Sequence, residues 1–104
     1  MAVATGSAAT HLVQLGSFNS REVAEAKWNE FQRRFPELKG RDVVFTEAQV
    51  NGRTYFRVAA AGFGARTARS MCSTVKAGGI GCFAYAASSP PAGAVDRGVR
   101  VAAR

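Results

Sequence analysis

The dipeptide Asn51-Gly52 constrains the fold of this chain more than any other sequence feature. Asn-Gly between two runs of β-forming residues is the strongest short-range signal for a tight hairpin, because both residues tolerate a positive φ. The run Val43-Val44-Phe45 precedes the dipeptide, and the run Thr54-Tyr55-Phe56-Arg57-Val58 follows it. The sequence therefore predicts two adjacent antiparallel strands in mid-chain. For the first of these two strands, the sequence does not decide which residues face the core and which face solvent.

A strand signal and a helix signal lie on each side of this hairpin. His11 to Leu15 is a strand candidate before the first helix, for which Asn19 or Ser20 is the candidate N-cap, and Cys82 to Tyr85 is a strand candidate after the second helix. The apolar residues of both helices recur every three or four positions: Ala24, Trp28, Phe31, Phe35, Ala68, Cys72 and Val75. We predict an α+β, ferredoxin-like β-α-β-β-α-β domain with a four-stranded antiparallel sheet and two helices on one face.

The ordered domain is expected over residues 10–87. Residues 1–9 are small and polar, which predicts a disordered leader. Residues 88–104 begin with Ser88-Ser89-Pro90-Pro91 and lack apolar periodicity, which predicts a flexible C-terminal tail. No apolar run approaches the roughly 20 residues of a bilayer-spanning helix, so any membrane anchor is expected upstream of this sequence.

The sheet face that the helices leave open is predicted to carry the functional side chains. Alternation along the strands points Val13, Leu15, Phe56, Val58, Cys82 and Ala84 inward. The outward set is then Gln14, Tyr55, Arg57 and Phe83, with Tyr85 as a further candidate. Aromatic rings offer a surface to the C–H faces of sugars, an amide bonds hydroxyls, and a guanidinium grips a carboxylate. This combination favours a flat polar polymer as the ligand.

The run His11-Leu12-Val13-Gln14-Leu15-Gly16-Ser17-Phe18 resembles the V-Q-L-G-S-F opening of SPOR domains. Further similar blocks are Ala24-Glu25-Ala26, Tyr55-Phe56-Arg57-Val58 and Val75-Lys76-Ala77-Gly78, so that the resemblance covers roughly residues 10–86. It implies a ferredoxin-like fold without catalytic activity or cofactor. It also implies binding of peptidoglycan glycan strands that lack stem peptides, which targets a parent protein to the division septum. Position by position, the implied glycan contacts are Gln14, Ser17, Tyr55, Arg57 and Phe83.

The resemblance further implies a location and partners. The expected location is the periplasm or bacterial cell envelope, within a larger exported or membrane-anchored protein. Division proteins and wall hydrolases are the candidate protein partners beside the glycan itself. One departure from the family pattern is Ala61-Gly62-Phe63, where the family often has Gly-Pro-Phe. The loop into the second helix is therefore expected to be looser.

Cys72 and Cys82 are the only cysteines, and both are predicted to point inward. An even count in an exported module favours a structural disulfide, with two buried thiols as the alternative. A zinc site needs four ligands, and His11 is the only histidine, so no metal is expected. A redox-active Cys-x-x-Cys motif is absent from the sequence.

Two other classes of function fit the same architecture. RNA-recognition domains share the element order and an open aromatic sheet face, and the net charge of +7 suits an anionic partner. Tyr55 to Ala61 does not match the RNP1 pattern, so no nucleic-acid partner is expected. A protein–protein interaction domain of the envelope is the other alternative. Enzymatic activity is not expected, because His11 has no apparent nucleophile partner and closely spaced loop carboxylates are lacking.

Overall fold

A computed structural model describes residues 9–103 of the chain. Its strands are β1 His11–Phe18, β2 Val43–Val50, β3 Arg53–Phe63, β4 Phe83–Ala86 and β5 Val99–Val101. Its helices are α1 Arg21–Arg34 and α2 Ala65–Ala77, with a short 3-10 helix Pro36–Leu38 between α1 and β2. The leader predicted over residues 1–9 lies, apart from residue 9, outside the described residues. Within residues 9–103 no helix is long and apolar enough to span a membrane.

The strands form one antiparallel sheet in the order β4-β1-β3-β2-β5. The first four strands and the two helices follow the predicted β-α-β-β-α-β order, so the predicted ferredoxin-like fold is confirmed. The predicted strand count was one too few, because β5 continues the sheet beyond β2. The strands β1 and β3 each have a neighbour on both sides, and β5 gives β2 a second neighbour as well. The predicted contact residues lie on β1, β3 and β4.

Local signals in the sequence explain where these elements begin and turn. Asn51 and Gly52 have φ values of 52° and 78°, as the predicted hairpin requires. The Ser20 hydroxyl accepts a hydrogen bond of 3.1 Å from the Val23 backbone N–H and caps α1. α2 ends at Gly78, whose N–H donates to the Thr74 and Val75 carbonyl oxygens.

One hydrophobic core lies between the helices and one face of the sheet. Val13 and Leu15 of β1 are buried in it as predicted, and so are Val58 of β3 and the α1 residue Trp28. Phe56, Cys82 and Ala84, also predicted inward, are partly buried and pack against the same core. On β2 it is Val43 and Phe45 that belong to this core. Since those two residues face inward, Val44 and Thr46 face the opposite side of the sheet.

Residues 87–103, here called the C-terminal segment, bond to the sheet at several points. The Ala87 N–H donates to the Thr10 carbonyl oxygen (2.9 Å), and the Gln49 N–H donates to the Gly93 carbonyl oxygen (2.9 Å). Beyond Gly93, Ala94 bridges to Ala48, and β5 pairs with Val43 to Phe45 of β2. The sequence pattern of residues 88–104 predicts no strand. Strand pairing can be driven by the free backbone groups of a sheet edge and does not need an apolar period. The flexibility of the segment in solution stays a prediction.

Asp42 fastens the end of the C-terminal segment. Its carboxylate accepts hydrogen bonds from the Ala103 backbone N–H (3.0 Å) and from Arg100 Nε (2.8 Å). The bond from Ala103 is the main cause, and that from Arg100 the second, of a lowered pKa at the Asp42 carboxyl. The three residues join sequence positions almost sixty apart, so the end of the described chain lies beside the start of β2.

Candidate functional site

The five predicted contact residues lie on the sheet face that points away from the helices. Directly paired residues of neighbouring strands share a face. Gln14 pairs with Phe83 of β4 on one side and with Ala59 of β3 on the other. Ser17 pairs with Arg57. Tyr55 is two residues before Arg57 on β3 and therefore shares its face. We call this surface the site face.

A β-bulge brings Ser17 onto the site face. Gln14 pairs with Ala59 and Gly16 pairs with Val58, so β1 has one residue more than β3 at this point. Strict alternation from Gln14 would have turned Ser17 toward the core. The resemblance to the family identified Ser17, whereas the strand pattern alone could not. Gly16 was the available signal, since an isolated glycine inside a strand often marks a bulge.

The packing of Phe18 requires a glycine at position 16. The extra residue turns Phe18 toward the core, where its ring lies 6.4 Å, centroid to centroid, from that of Phe31. A Cβ atom on Gly16 would lie 2.6 Å from the nearest atom of the Phe18 ring. The small residue therefore permits the bulge, and the bulge presents Ser17.

β4 supplies two aromatic rings to the site face. Phe83 is 52% exposed, although most phenylalanines are largely buried. Its ring lies nearly parallel to that of Tyr85, with 6.0 Å between the centroids. Burial raises the pKa of the Tyr85 hydroxyl, against a smaller lowering by the charge of Arg57. The hydroxyl is therefore protonated at neutral pH and can donate a hydrogen bond.

The predicted contact residues are divided between two neighbouring cavities. The first, here called the open groove, has a volume of about 540 Å³ and opens at the edge of the sheet, between the end of β1, α1 and the start of β4. It is lined by Gln14, Ser17 and Phe83 together with the α1 residues Lys27, Glu30, Phe31 and Arg34. The second, here called the covered cleft, has a volume of about 450 Å³ and lies between the site face and the C-terminal segment. Gln14 lines both cavities, Arg57 lines the cleft, and Tyr55 lines neither. The structure thus brings four of the five residues together around Gln14.

The C-terminal segment engages Arg57 directly. The Arg57 Nη2 donates to the Ala92 carbonyl oxygen at 2.7 Å, and Nη1 lies 3.5 Å from the Pro91 carbonyl oxygen. Alternation along β3 predicts an uncovered Arg57, because the sequence pattern indicates no fixed position for residues 88–104. In the folded chain, this guanidinium lines the covered cleft.

A disulfide between Cys72 and Cys82 ties the site to the second helix, as predicted. Cys72 is on α2, and Cys82 directly precedes Phe83, so the bond holds the start of β4 against the helix. No group of three or more side chains suited to a metal ion occurs within residues 9–103.

Comparison with known proteins gives one result. A family model described as the SPOR domain matches residues 7–86. Neither the curated proteins nor the solved structures contain a match to the chain. The matched range includes all five predicted contact residues and the disulfide, and it ends with the last residue of β4. The C-terminal segment lies beyond it.

Proposed function

Since this chain belongs to the SPOR domain family of peptidoglycan-binding domains, we propose that it binds glycan strands from which the stem peptides have been removed. Through that binding it would bring its parent protein to the division septum, where such strands arise. The domain itself would be non-catalytic and would work in the periplasm or cell envelope. Division proteins and wall hydrolases would be its protein partners.

The arrangement of Gln14, Ser17 and Phe83 along the open groove is the observation that supports this proposal. The exposed Phe83 ring would stack on the C–H face of a sugar ring, as aromatic side chains do with flat apolar surfaces. The Gln14 amide and the Ser17 hydroxyl would bond sugar hydroxyls and N-acetyl groups, since they both donate and accept hydrogen bonds. Tyr55 would extend the contact along β3.

Arg57 would account for the preference for strands without stem peptides. An N-acetylmuramic acid unit that has lost its peptide carries a free lactyl carboxylate, whereas an intact unit carries an amide there. A guanidinium forms much stronger hydrogen bonds to a carboxylate than to an amide. The Arg57 guanidinium lines the covered cleft beside Gln14, so a strand held by Gln14 would bring a carboxylate within its reach.

Co-sedimentation with purified peptidoglycan sacculi tests the proposal. The domain should pellet more strongly with amidase-treated sacculi than with untreated sacculi. Phe83→Ala and Gln14→Ala should each weaken pelleting about three- to tenfold, because a stacking or polar contact contributes about 0.5 to 1.5 kcal/mol. Val23→Ala is the matched control, since it also shortens an exposed apolar side chain but lies on α1.

Three results would contradict the proposal. Equal pelleting with treated and untreated sacculi would remove the specificity for peptide-free strands. Unchanged pelleting of both site variants would show that the glycan does not bind at the site face. No pelleting at all, together with salt-sensitive binding of a single-stranded oligonucleotide, would favour the nucleic-acid class instead, to which the net charge of +7 is suited.

A further inference from the structure

The C-terminal segment crosses the site face from one side to the other. It leaves β4 at Ala87, which bonds to Thr10 just before β1, and it reaches β2 at Gly93, which bonds to Gln49. Since β1 and β3 lie between β4 and β2 in the sheet, residues 88–92 pass over both central strands. The Arg57 side chain of β3 donates to the Ala92 carbonyl oxygen, one residue before the segment reaches β2.

The C-terminal segment covers residues of the site face that would be exposed without it. Ala59, Ala48 and Val44 are on the site face, since they pair with Gln14, Tyr55 and Ala59 respectively. None of the three belongs to the core cluster beneath the helices, yet they are only 2%, 0% and 9% exposed. The β2 half of the site face is therefore closed, while the half around Phe83 is open.

The covered cleft is the space left between the C-terminal segment and the sheet. Its volume of about 450 Å³ is near the lower end of the range of about 300 to 1,000 Å³ that is usual for small-molecule sites. Its lining combines the polar Gln14, Thr46 and Tyr85 and the apolar Leu12, Pro90 and Pro91 with four charged residues, Arg57, Asp96, Arg97 and Arg100. An amide, two hydroxyls and three guanidinium groups against one carboxylate, beside an apolar wall, suit a single sugar unit that carries a carboxylate.

We propose that the domain recognises the end of a glycan strand, with the terminal sugar in the covered cleft and the following units in the open groove. This inference rests on the function proposed above. Gln14 lines both cavities, so a strand that occupied both would pass this side chain as it turns from the sheet edge onto the site face. A strand that runs from Phe83 toward Arg57 meets residues 88–92 and cannot continue past them, so the unit inside the cleft is the last one.

The number of domains bound per strand distinguishes recognition of ends from recognition of strand interiors. Amidase-treated glycan strands are separated by length, and the stoichiometry of binding at saturation is measured for each length by calorimetry. A strand has two chemically different ends, and recognition of one of them predicts about one domain per strand at every length. Recognition of interiors predicts a number that rises in proportion to strand length.

Two variants test whether the C-terminal segment is the cause of binding at strand ends. A chain that stops after Ala87 lacks the segment. Gly93→Val keeps the segment but displaces it, because Gly93 has a φ of +99° and a Cβ atom there would meet the Gln49 carbonyl oxygen at 3.1 Å and Arg57 Nη2 at 3.2 Å. Both variants should bind in proportion to strand length. Val95→Ala, at an exposed position of the same segment that does not line the cleft, is the control and should still bind one domain per strand.

The possible outcomes separate this inference from the proposed function. Length-proportional binding by the unaltered domain would overturn recognition of ends and leave glycan binding intact. One domain per strand in both the truncated chain and Gly93→Val would show that the C-terminal segment does not cause the recognition of strand ends. No binding at any length by the unaltered domain would overturn the proposed function, and this inference with it.

Discussion

Gly16 shows how one residue decides which side chains a strand presents. Because β1 has an extra residue opposite Val58, Gln14 and Ser17 lie on the same face although they are three positions apart. A period of two predicts the faces of Gln14, Tyr55, Arg57 and Phe83 correctly. It fails at Ser17, since a bulge changes the parity without changing the composition of the strand.

Replacing Gly16 by alanine should destabilise the domain. The new Cβ atom would meet the Phe18 ring at 2.6 Å, and relief of this clash must move either the bulge or a ring that packs on the core. We expect the free energy of unfolding to fall by about 1 to 3 kcal/mol, which is usual for overpacking, as measured by urea denaturation. Gly81→Ala is the control, because nothing lies within 4 Å of a Cβ atom there. Equal stability of Gly16→Ala and the unaltered domain would refute this account of the bulge.

At the scale of elements, the strands and helices of the matched domain follow from local signals. Asn51-Gly52, the Ser20 cap and the apolar spacing of α1 each predict what the structure contains, because these signals act within a few residues. β5 is different. It has only three residues, and its pairing depends on the edge of β2, whose paired residues are 54 to 58 positions away in the sequence. No local pattern could have predicted that partner.

The disulfide between α2 and β4 should contribute strongly to stability. It joins residues ten positions apart, and closing so short a loop is worth roughly 3 kcal/mol in the chain-entropy account. We expect the Cys72→Ala/Cys82→Ala double variant to unfold at a clearly lower urea concentration. Its binding to amidase-treated sacculi should also weaken, because β4 has four residues and carries Phe83. A double variant as stable as the oxidised domain would show that packing alone holds β4 in place.

At the scale of the whole molecule, Asp42 links the start of β2 to the C-terminal end of the described chain. The pKa of its carboxyl is lowered from the ordinary value of 3.8, chiefly by the Ala103 N–H and then by Arg100. A lowered pKa in the folded state means that the ionised form stabilises that state. The stabilisation is therefore complete above pH 3.8 and is lost as the pH falls through the lowered value.

Acid should accordingly loosen the attachment of the C-terminal segment. In an NMR titration, the Ala103 amide signal should shift with a midpoint below pH 3.8, as the Asp42 carboxylate takes up a proton. In Asp42→Asn this transition should be absent, and high salt should weaken the contribution of Arg100, which is well exposed. A midpoint at or above 3.8 would mean that the two hydrogen bonds do not persist in solution.

The pairing of β5 with β2 also determines how copies of the domain behave when they are crowded together. Uncovered, the outer side of β2 would offer eight residues of backbone to a strand from another molecule. With β5 in place, the outermost strands are β5, with three residues and Arg100 at its centre, and β4, with four. Short and charged edge strands are poor templates for aggregation. Many copies can therefore gather at one place without edge-to-edge strand pairing between molecules.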